Sequence, residues 1–302
     1  MTPRYSGIIP PMITPLTGRD SLDIDGLEKL VERLIDGGVS GIFALGTTGE
    51  APSLSYRLRR ELVEHTCRFV NGRVPVLVGI TDTSLVESAR FAGEISDFRV
   101  EAVVTSAPFY FPAGQPELRE YLEELLPELS LPLILYNMPS LTKISFHRDV
   151  VEWALDQEKV IGLKDSSGDL TYFKKMVKLA AEKRPDWPLL VGPEELLAEA
   201  VLAGGHGGVN GGANLNPRLY VDLYEASARG DWETARDLSA KVLELSNRIY
   251  HVGQHGSAII KGLKCALSIV GICDDFMAAP FHRFHESERK IIESHLEELG
   301  IS

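Results

Sequence analysis

Lys164 closes the apolar run Val160-Ile161-Gly162-Leu163 and is followed by Asp165-Ser166-Ser167-Gly168-Asp169. A lysine at the end of so apolar a strand either reaches into water along its alkyl stem or stands where its ammonium is short of solvent. In the second case desolvation lowers its proton affinity, and the free amine can attack a carbonyl carbon and form an imine. Tyr136 ends a similar run, Leu133-Ile134-Leu135, ahead of Asn137-Met138-Pro139. A phenol there can pass protons to and from a reacting carbonyl or hydroxyl, or it can cap the strand with its hydroxyl in water. Gly46-Thr47-Thr48-Gly49-Glu50 follows a third apolar run. Glycines let backbone N–H groups approach a ligand and threonines add hydroxyl donors, so the turn can hold a carboxylate without a full positive charge. A tight strand-to-helix turn is the competing reading. Phe109-Tyr110-Phe111-Pro112 reads as an aromatic loop tip for packing or an interface, with Tyr110 as an alternative proton relay. The glycine run Gly204 to Gly212 can be a phosphate site or a set of crowded turns. His206 precedes its strand, which suits a structural role.

These segments need strands to present them. Short apolar runs without strict alternation fall at Ile8–Met12, Gly41–Leu45, Val74–Gly79, Ala102–Thr105, Leu133–Tyr136, Val160–Lys164, Leu189–Val191 and Gly207–Asn210. Such runs suit parallel strands buried on both faces. Amphipathic helices separate them: Leu27, Leu30, Val31, Leu34 and Ile35 keep helical spacing, with Gly37-Gly38 as the stop. The alternation predicts an α/β fold, a (β/α)8 TIM barrel over residues 1–228. An open doubly wound sheet would want a dinucleotide fingerprint after its first strand, and Pro10-Pro11-Met12-Ile13-Thr14-Pro15 is unlike one. Beyond 228 the strand pattern stops. Trp232, Ala235, Leu238, Val242, Leu245 and Ile249 keep helical spacing, and further helices are predicted from Gly256 to Ile269 and, past Pro280, from Glu286 to Leu299. Residues 229–302 therefore read as a C-terminal helical region. In a barrel of this kind the reacting residues sit at the C-terminal strand ends, where all the segments above fall.

Composition narrows the partners. A formal net charge of −12 repels nucleic acid and anionic membranes. No apolar stretch approaches a membrane span, and Met1 to Ser6 lacks the basic and apolar regions of an export signal. Cys67, Cys265 and Cys273 have no metal-ligand spacing and leave one unpaired in any disulfide scheme. They suit a reducing compartment, hence a cytoplasmic protein. The eight histidines form no ligand cluster at strand ends, so no metal is expected, and a covalent lysine imine with substrate would need no cofactor.

A lysine, a tyrosine, a threonine-glycine anion turn and a glycine-lined wall projecting to one barrel mouth are the parts of a class I aldolase. The amine condenses with a 2-oxo acid, the iminium becomes the electron sink, and the phenol moves protons. The same residues carry a resemblance. Gly-Thr-Thr-Gly-Glu at 46–50, Tyr-Asn-Met-Pro-Ser at 136–140, Gly-Leu-Lys-Asp-Ser-Ser-Gly-Asp at 162–169, the opening Gly7 to Pro15 and the segment Gly204 to Asn214 resemble the dihydrodipicolinate synthase / N-acetylneuraminate lyase superfamily nearly end to end. The resemblance implies a pyruvate-type Schiff base on Lys164, with Tyr136 as acid/base and Thr47 and Thr48 on the substrate carboxylate. It also implies pocket-lining backbone at Gly192 and Val209, and a homotetramer built from dimers. Tyr110 matches a tyrosine that, in the synthase branch, crosses into a neighbouring subunit's site.

Subfamily features are mixed. The synthases usually carry an arginine after Tyr-Asn-x-Pro-Ser; here the position is Leu141, which cannot hold a carboxylate. Sialic-acid lyases favour Asp-Glu after the glycine of strand seven, where this chain has Gly192-Pro193-Glu194-Glu195. Glu195 can bind sugar hydroxyls or be a surface residue at a helix N-terminus. The expected function is a Schiff-base lyase acting on pyruvate or a longer 2-oxo acid. The alternatives are dihydrodipicolinate synthesis or a 2-keto-3-deoxy sugar acid dehydratase using the same imine. A phosphate-binding isomerase and a non-catalytic 2-oxo acid sensor are rival classes.

Overall fold

The computed structural model describes residues 5–301. One sheet contains eight parallel strands: β1 (Gly7–Ile8), β2 (Ile42–Ala44), β3 (Val76–Gly79), β4 (Ala102–Ser106), β5 (Leu133–Asn137), β6 (Val160–Asp165), β7 (Leu189–Val191) and β8 (Gly207–Gly208). Each pairs with the next from β2 to β8, and β8 pairs with β1. A parallel bridge between Pro11 and Phe43 closes the ring. There Phe43 N–H donates to Pro10 O at 2.9 Å, and Met12 N–H donates to Phe43 O at 2.8 Å. The fold is the expected (β/α)8 barrel with a C-terminal helical region.

The first strand is shorter than the predicted Ile8–Met12, and its reach to Phe43 is a single bridge. Pro10 and Pro11 have no N–H to give a ladder. At β8 the ladder stops at Gly208 instead of Asn210. The Asn210 side chain turns aside to donate to Gly192 O at 3.0 Å, and a 3-10 turn, Gly211–Asn214, follows. A small hairpin, Leu16–Gly18 with Ser21–Leu22, was not predicted.

Strand alternation divides the core. Ile9, Phe43, Leu77, Val104, Ile134 and Leu190 fill the barrel interior. Ile42, Val78, Val103, Leu135 and Leu163 face the surrounding helices, meeting Leu27, Leu30, Val31 and Leu34 among others. The helix Ile24–Asp36 carries those four leucine and valine positions; it starts on Asp23, whose carboxylate accepts from Gly26 N–H at 2.9 Å, and ends before Gly38, where φ is +85°. Asp169 caps Leu170–Lys183 in the same way, accepting from Thr171 N–H at 2.8 Å, and so fixes the exit of the loop that follows Lys164.

Helices Trp232–Tyr250, Ala258–Ile269 and Glu286–Leu299 pack on one another, and the first also packs on Pro217–Ala228. The predicted division after residue 228 falls in the turn before Trp232. No helix among the described residues is long and apolar enough to cross a membrane. The expected absence of an export signal concerns Met1 to Ser6, of which residues 1–4 lie outside the described residues.

Candidate active site

β5 and β6 pair so that Tyr136 stands opposite Lys164, and Asn137 opposite Asp165. Parity turns Tyr136 and Lys164 toward the barrel axis at its C-terminal end. Lys164 is only 4% exposed. Its Nζ lies 3.8 Å from the centroid of the Tyr136 ring and 5.1 Å from that of Phe43. Burial pushes the Lys164 amine below its ordinary pKa, with Tyr136 opposing this in part. Burial alone raises the Tyr136 phenol, but the Lys164 charge and hydrogen bonds from Thr47, Lys164 and Ser166 outweigh it and hold the phenol below its ordinary pKa. Both groups thus hold their protons less tightly than they would in water. The next pair outward is fastened: Asn137 Nδ2 donates to Asp165 Oδ1 at 2.8 Å, and Phe146 N–H donates to Asn137 Oδ1 at 3.1 Å.

The Gly46–Glu50 segment brings Thr47 Oγ1 to 3.2 Å from the Tyr136 hydroxyl. The turn is closed by Gly49 N–H to Gly46 O at 3.1 Å and Glu50 N–H to Thr47 O at 3.0 Å. Leu45 and Glu50 flank it at φ +59° and +56°, left-handed conformations that cost a branched or long side chain energy and are kept where surrounding structure enforces them.

A cavity of about 320 Å³ opens at this mouth, and Lys164, Tyr136, Thr47, Thr48, Gly192 and Val209 all line it. These are six of the seven candidate residues; Tyr110 is apart from them. It is 84% exposed, at φ +84°, with its ring edge-on to Phe111 at 5.1 Å. A second cavity of about 270 Å³ shares Thr47, Tyr136 and Met138 and extends past Phe43, Phe109 and Leu141. The glycine run contributes mainly by crowding: a Cβ on Gly207 would fall 1.9 Å from Gly7 O, and within the run Gly211 joins Val209 on the cavity wall. His206 Nδ1 accepts from Leu189 N–H at 3.1 Å, below the strand.

Three further groups border the site. Ser166 lines the cavity and bonds to the Tyr136 hydroxyl. A Cβ on Gly192 would come within 1.9 Å of the Ser166 hydroxyl oxygen, so glycine there leaves that hydroxyl its place. Its signal was visible, two residues beyond Lys164. Glu194 is buried, with its carboxylate accepting from the Tyr220 hydroxyl, from the Tyr250 hydroxyl at 2.9 Å and from Gly212 N–H at 2.9 Å. Burial pushes its pKa up to about 7 against those bonds. Nothing local in the sequence joins these residues. Glu195 also lines the cavity, on a 3-10 turn, and accepts from the Ser246 hydroxyl at 2.5 Å. Among the described residues no three His, Cys, Asp or Glu side chains come together as a metal ligand set.

A sequence profile described as the dihydrodipicolinate synthetase family matches residues 4–299. The chain is 32% identical to a probable 2-dehydro-3-deoxy-D-pentonate aldolase, YjhH of Escherichia coli K12, over 80% of this chain and 81% of that protein. It is similar to the solved structure of a dihydrodipicolinate synthase from Bacteroides thetaiotaomicron, with TM-score 0.95, 53% identity and coverage of 99% of this chain and 100% of the other. The structure of YagE from E. coli K12 in complex with pyruvate superposes with TM-score 0.92 at 26% identity, covering 99% of each chain.

Proposed function

The chain belongs to the dihydrodipicolinate synthetase family and is an enzyme of that lyase and aldolase group, and we propose that it forms an imine between Lys164 and the keto carbon of a 2-oxo acid, through which it breaks or makes a carbon–carbon bond. One observation carries the proposal: a buried amine 3.8 Å from the ring of a tyrosine whose hydroxyl is bonded to Thr47.

The substrate carboxylate sits on Thr47 and Thr48, which aims the keto carbon at Nζ. The uncharged amine adds to that carbon, and Tyr136 gives its proton to the former carbonyl oxygen, which leaves as water, giving an iminium and a Tyr136 phenolate. Tyr136 then takes the proton from the hydroxyl two carbons beyond the iminium carbon. The bond between the hydroxyl-bearing carbon and the carbon next to the iminium breaks, its electrons reach the iminium nitrogen as an enamine, and an aldehyde departs. Protonation of the enamine and hydrolysis of the imine release pyruvate and restore Lys164. The YagE complex supports pyruvate as the small fragment.

Leu141 supports cleavage of a hydroxylated 2-oxo acid over dihydrodipicolinate synthesis. It borders the cavity beside Tyr136, where an aldehyde bearing a carboxylate would want a cation. Glu195, on the wall of the cavity that holds Lys164, offers an acceptor for hydroxyls. We also propose that Tyr110, exposed beside Phe111, serves the site of a second copy, within a cytoplasmic homotetramer. The test is incubation with a panel of 2-oxo-3-deoxy sugar acids, following pyruvate. Pyruvate release is expected. Loss of water with no pyruvate assigns a dehydratase, and efficient condensation of pyruvate with a carboxylate-bearing aldehyde assigns a synthase.

A further inference from the structure

Glu50 and Lys264 form an ion pair whose side chains are 1% and 0% exposed. Two buried charges are a poor route to stability, because their desolvation offsets most of their attraction. Their position in the fold suggests a different use. Lys264 lies on helix Ala258–Ile269, and its ammonium also donates to Phe276 O at 2.7 Å. The second oxygen of Glu50 accepts from Ala278 N–H at 2.9 Å. Two charge-bearing groups and two backbone groups thus fasten a single point.

That point is the last residue of the Thr47–Thr48 turn. Glu50 N–H donates to Thr47 O at 3.0 Å, and Glu50 holds φ at +56°, a conformation a free glutamate avoids. Thr14 adds a second fastening through its hydroxyl to Gly49 O at 2.7 Å. The helix that carries Lys264 also supplies Ile259 and Ile260 to the wall of the Lys164 cavity. One rigid element therefore borders the site and grips the turn that faces it.

We infer that Glu50 and Lys264 are positioning residues: their buried pair holds the Gly46–Glu50 turn in the conformation that receives the substrate carboxylate, making the C-terminal helical region part of the binding machinery. The inference rests on the carboxylate role proposed for Thr47 and Thr48. Neither Glu50 nor Lys264 touches substrate; both act through the turn.

The test uses the full chain with Glu50→Gln, Lys264→Met and the double variant Glu50→Gln/Lys264→Met, which removes both charges and so leaves neither buried alone. Two readouts are taken on folded protein. One is hydrogen exchange of backbone amides at residues 46–51 without ligand, with strand Leu133–Asn137 as internal reference. The other is the pyruvate concentration that half-saturates borohydride labelling of Lys164. In the double variant both readouts are expected to change by about tenfold or more, the scale of lost preorganisation at a binding site, with the reference strand unmoved. The labelling rate at saturating pyruvate is expected to stay within about threefold, since Lys164 and Tyr136 are untouched. Unchanged exchange at residues 46–51 in the folded double variant overturns the inference. So does faster exchange with an unchanged half-saturation, which makes the pair merely structural. If the unaltered protein takes no label at all, it is the imine that fails, and exchange alone then decides whether the pair holds the turn.

Discussion

Lys164 and Tyr136 face each other across two neighbouring strands, whereas Thr47 and Thr48 ride on a turn between β2 and the next helix. The strand-borne pair is held by ladder register, and the Asn137–Asp165 bond pins the next rung. The turn-borne pair has no ladder. Its shape depends on two left-handed residues, Leu45 and Glu50, and on partners from the far end of the chain, Lys264 and Ala278. The proposed nucleophile therefore sits where backbone geometry is least adjustable, and the proposed carboxylate receiver where side chains must impose it. Damage to the two halves should look different: chemistry is lost from the first, and affinity and order from the second.

The largest expected effect is on the strand side. Lys164→Arg should fold and lose imine formation entirely, because a guanidinium is not a nucleophile at working pH; normal turnover in that variant would contradict the mechanism. Tyr136→Phe should still bind 2-oxo acid but slow turnover by roughly 10²–10⁴-fold, the usual scale for a lost acid/base group. A loss below about threefold in steady-state rate would remove Tyr136 from that role.

On the other side, Lys264→Met strands a buried carboxylate and should cost roughly 3–5 kcal/mol in urea unfolding, with the double variant Glu50→Gln/Lys264→Met recovering much of it. Near-equal stabilities of single and double variants would mean that the charges do not depend on each other. Glu194 gives a pH-dependent contrast. Its carboxyl moves from an ordinary 4.5 up to about 7 on folding, so the folded protein holds that proton more tightly than the unfolded chain. Its contribution to stability is full below pH 4.5 and is lost as pH rises through about 7, a change of roughly 3 kcal/mol. Glu194→Gln, which has no proton to lose, should flatten that part of the stability–pH curve. An unchanged slope would show that Glu194 does not titrate there.

Legibility in the sequence follows the same division. Strands β5 and β6 were readable to within a residue at their C-terminal ends, because apolar runs bounded by polar turns carry a local signal. Lys164 and Tyr136 were placed by those ends. Thr47 and Thr48 were readable as a motif, but not what holds them: the pairing of Glu50 with Lys264 joins residues more than 200 positions apart, and no local pattern encodes it. Glu194 was hidden for the same reason, since its donors come from Tyr220, Tyr250 and Gly212. The prolines at 10 and 11 broke a strand that hydrophobicity alone extended to Met12. Tyr110 stood in the sequence only as an alternative proton relay within an aromatic run, given an inter-subunit role by resemblance, and in a single chain it is not among the residues lining the Lys164 cavity.

The Lys164 amine is where the imine chemistry is tested most directly. The protein is incubated with pyruvate, quenched with borohydride, digested and sequenced by mass spectrometry. One reduced pyruvyl group on the peptide containing Lys164, absent without pyruvate, is the expected result. An unmodified Lys164 at saturating pyruvate, and with several other 2-oxo acids, would contradict the imine chemistry.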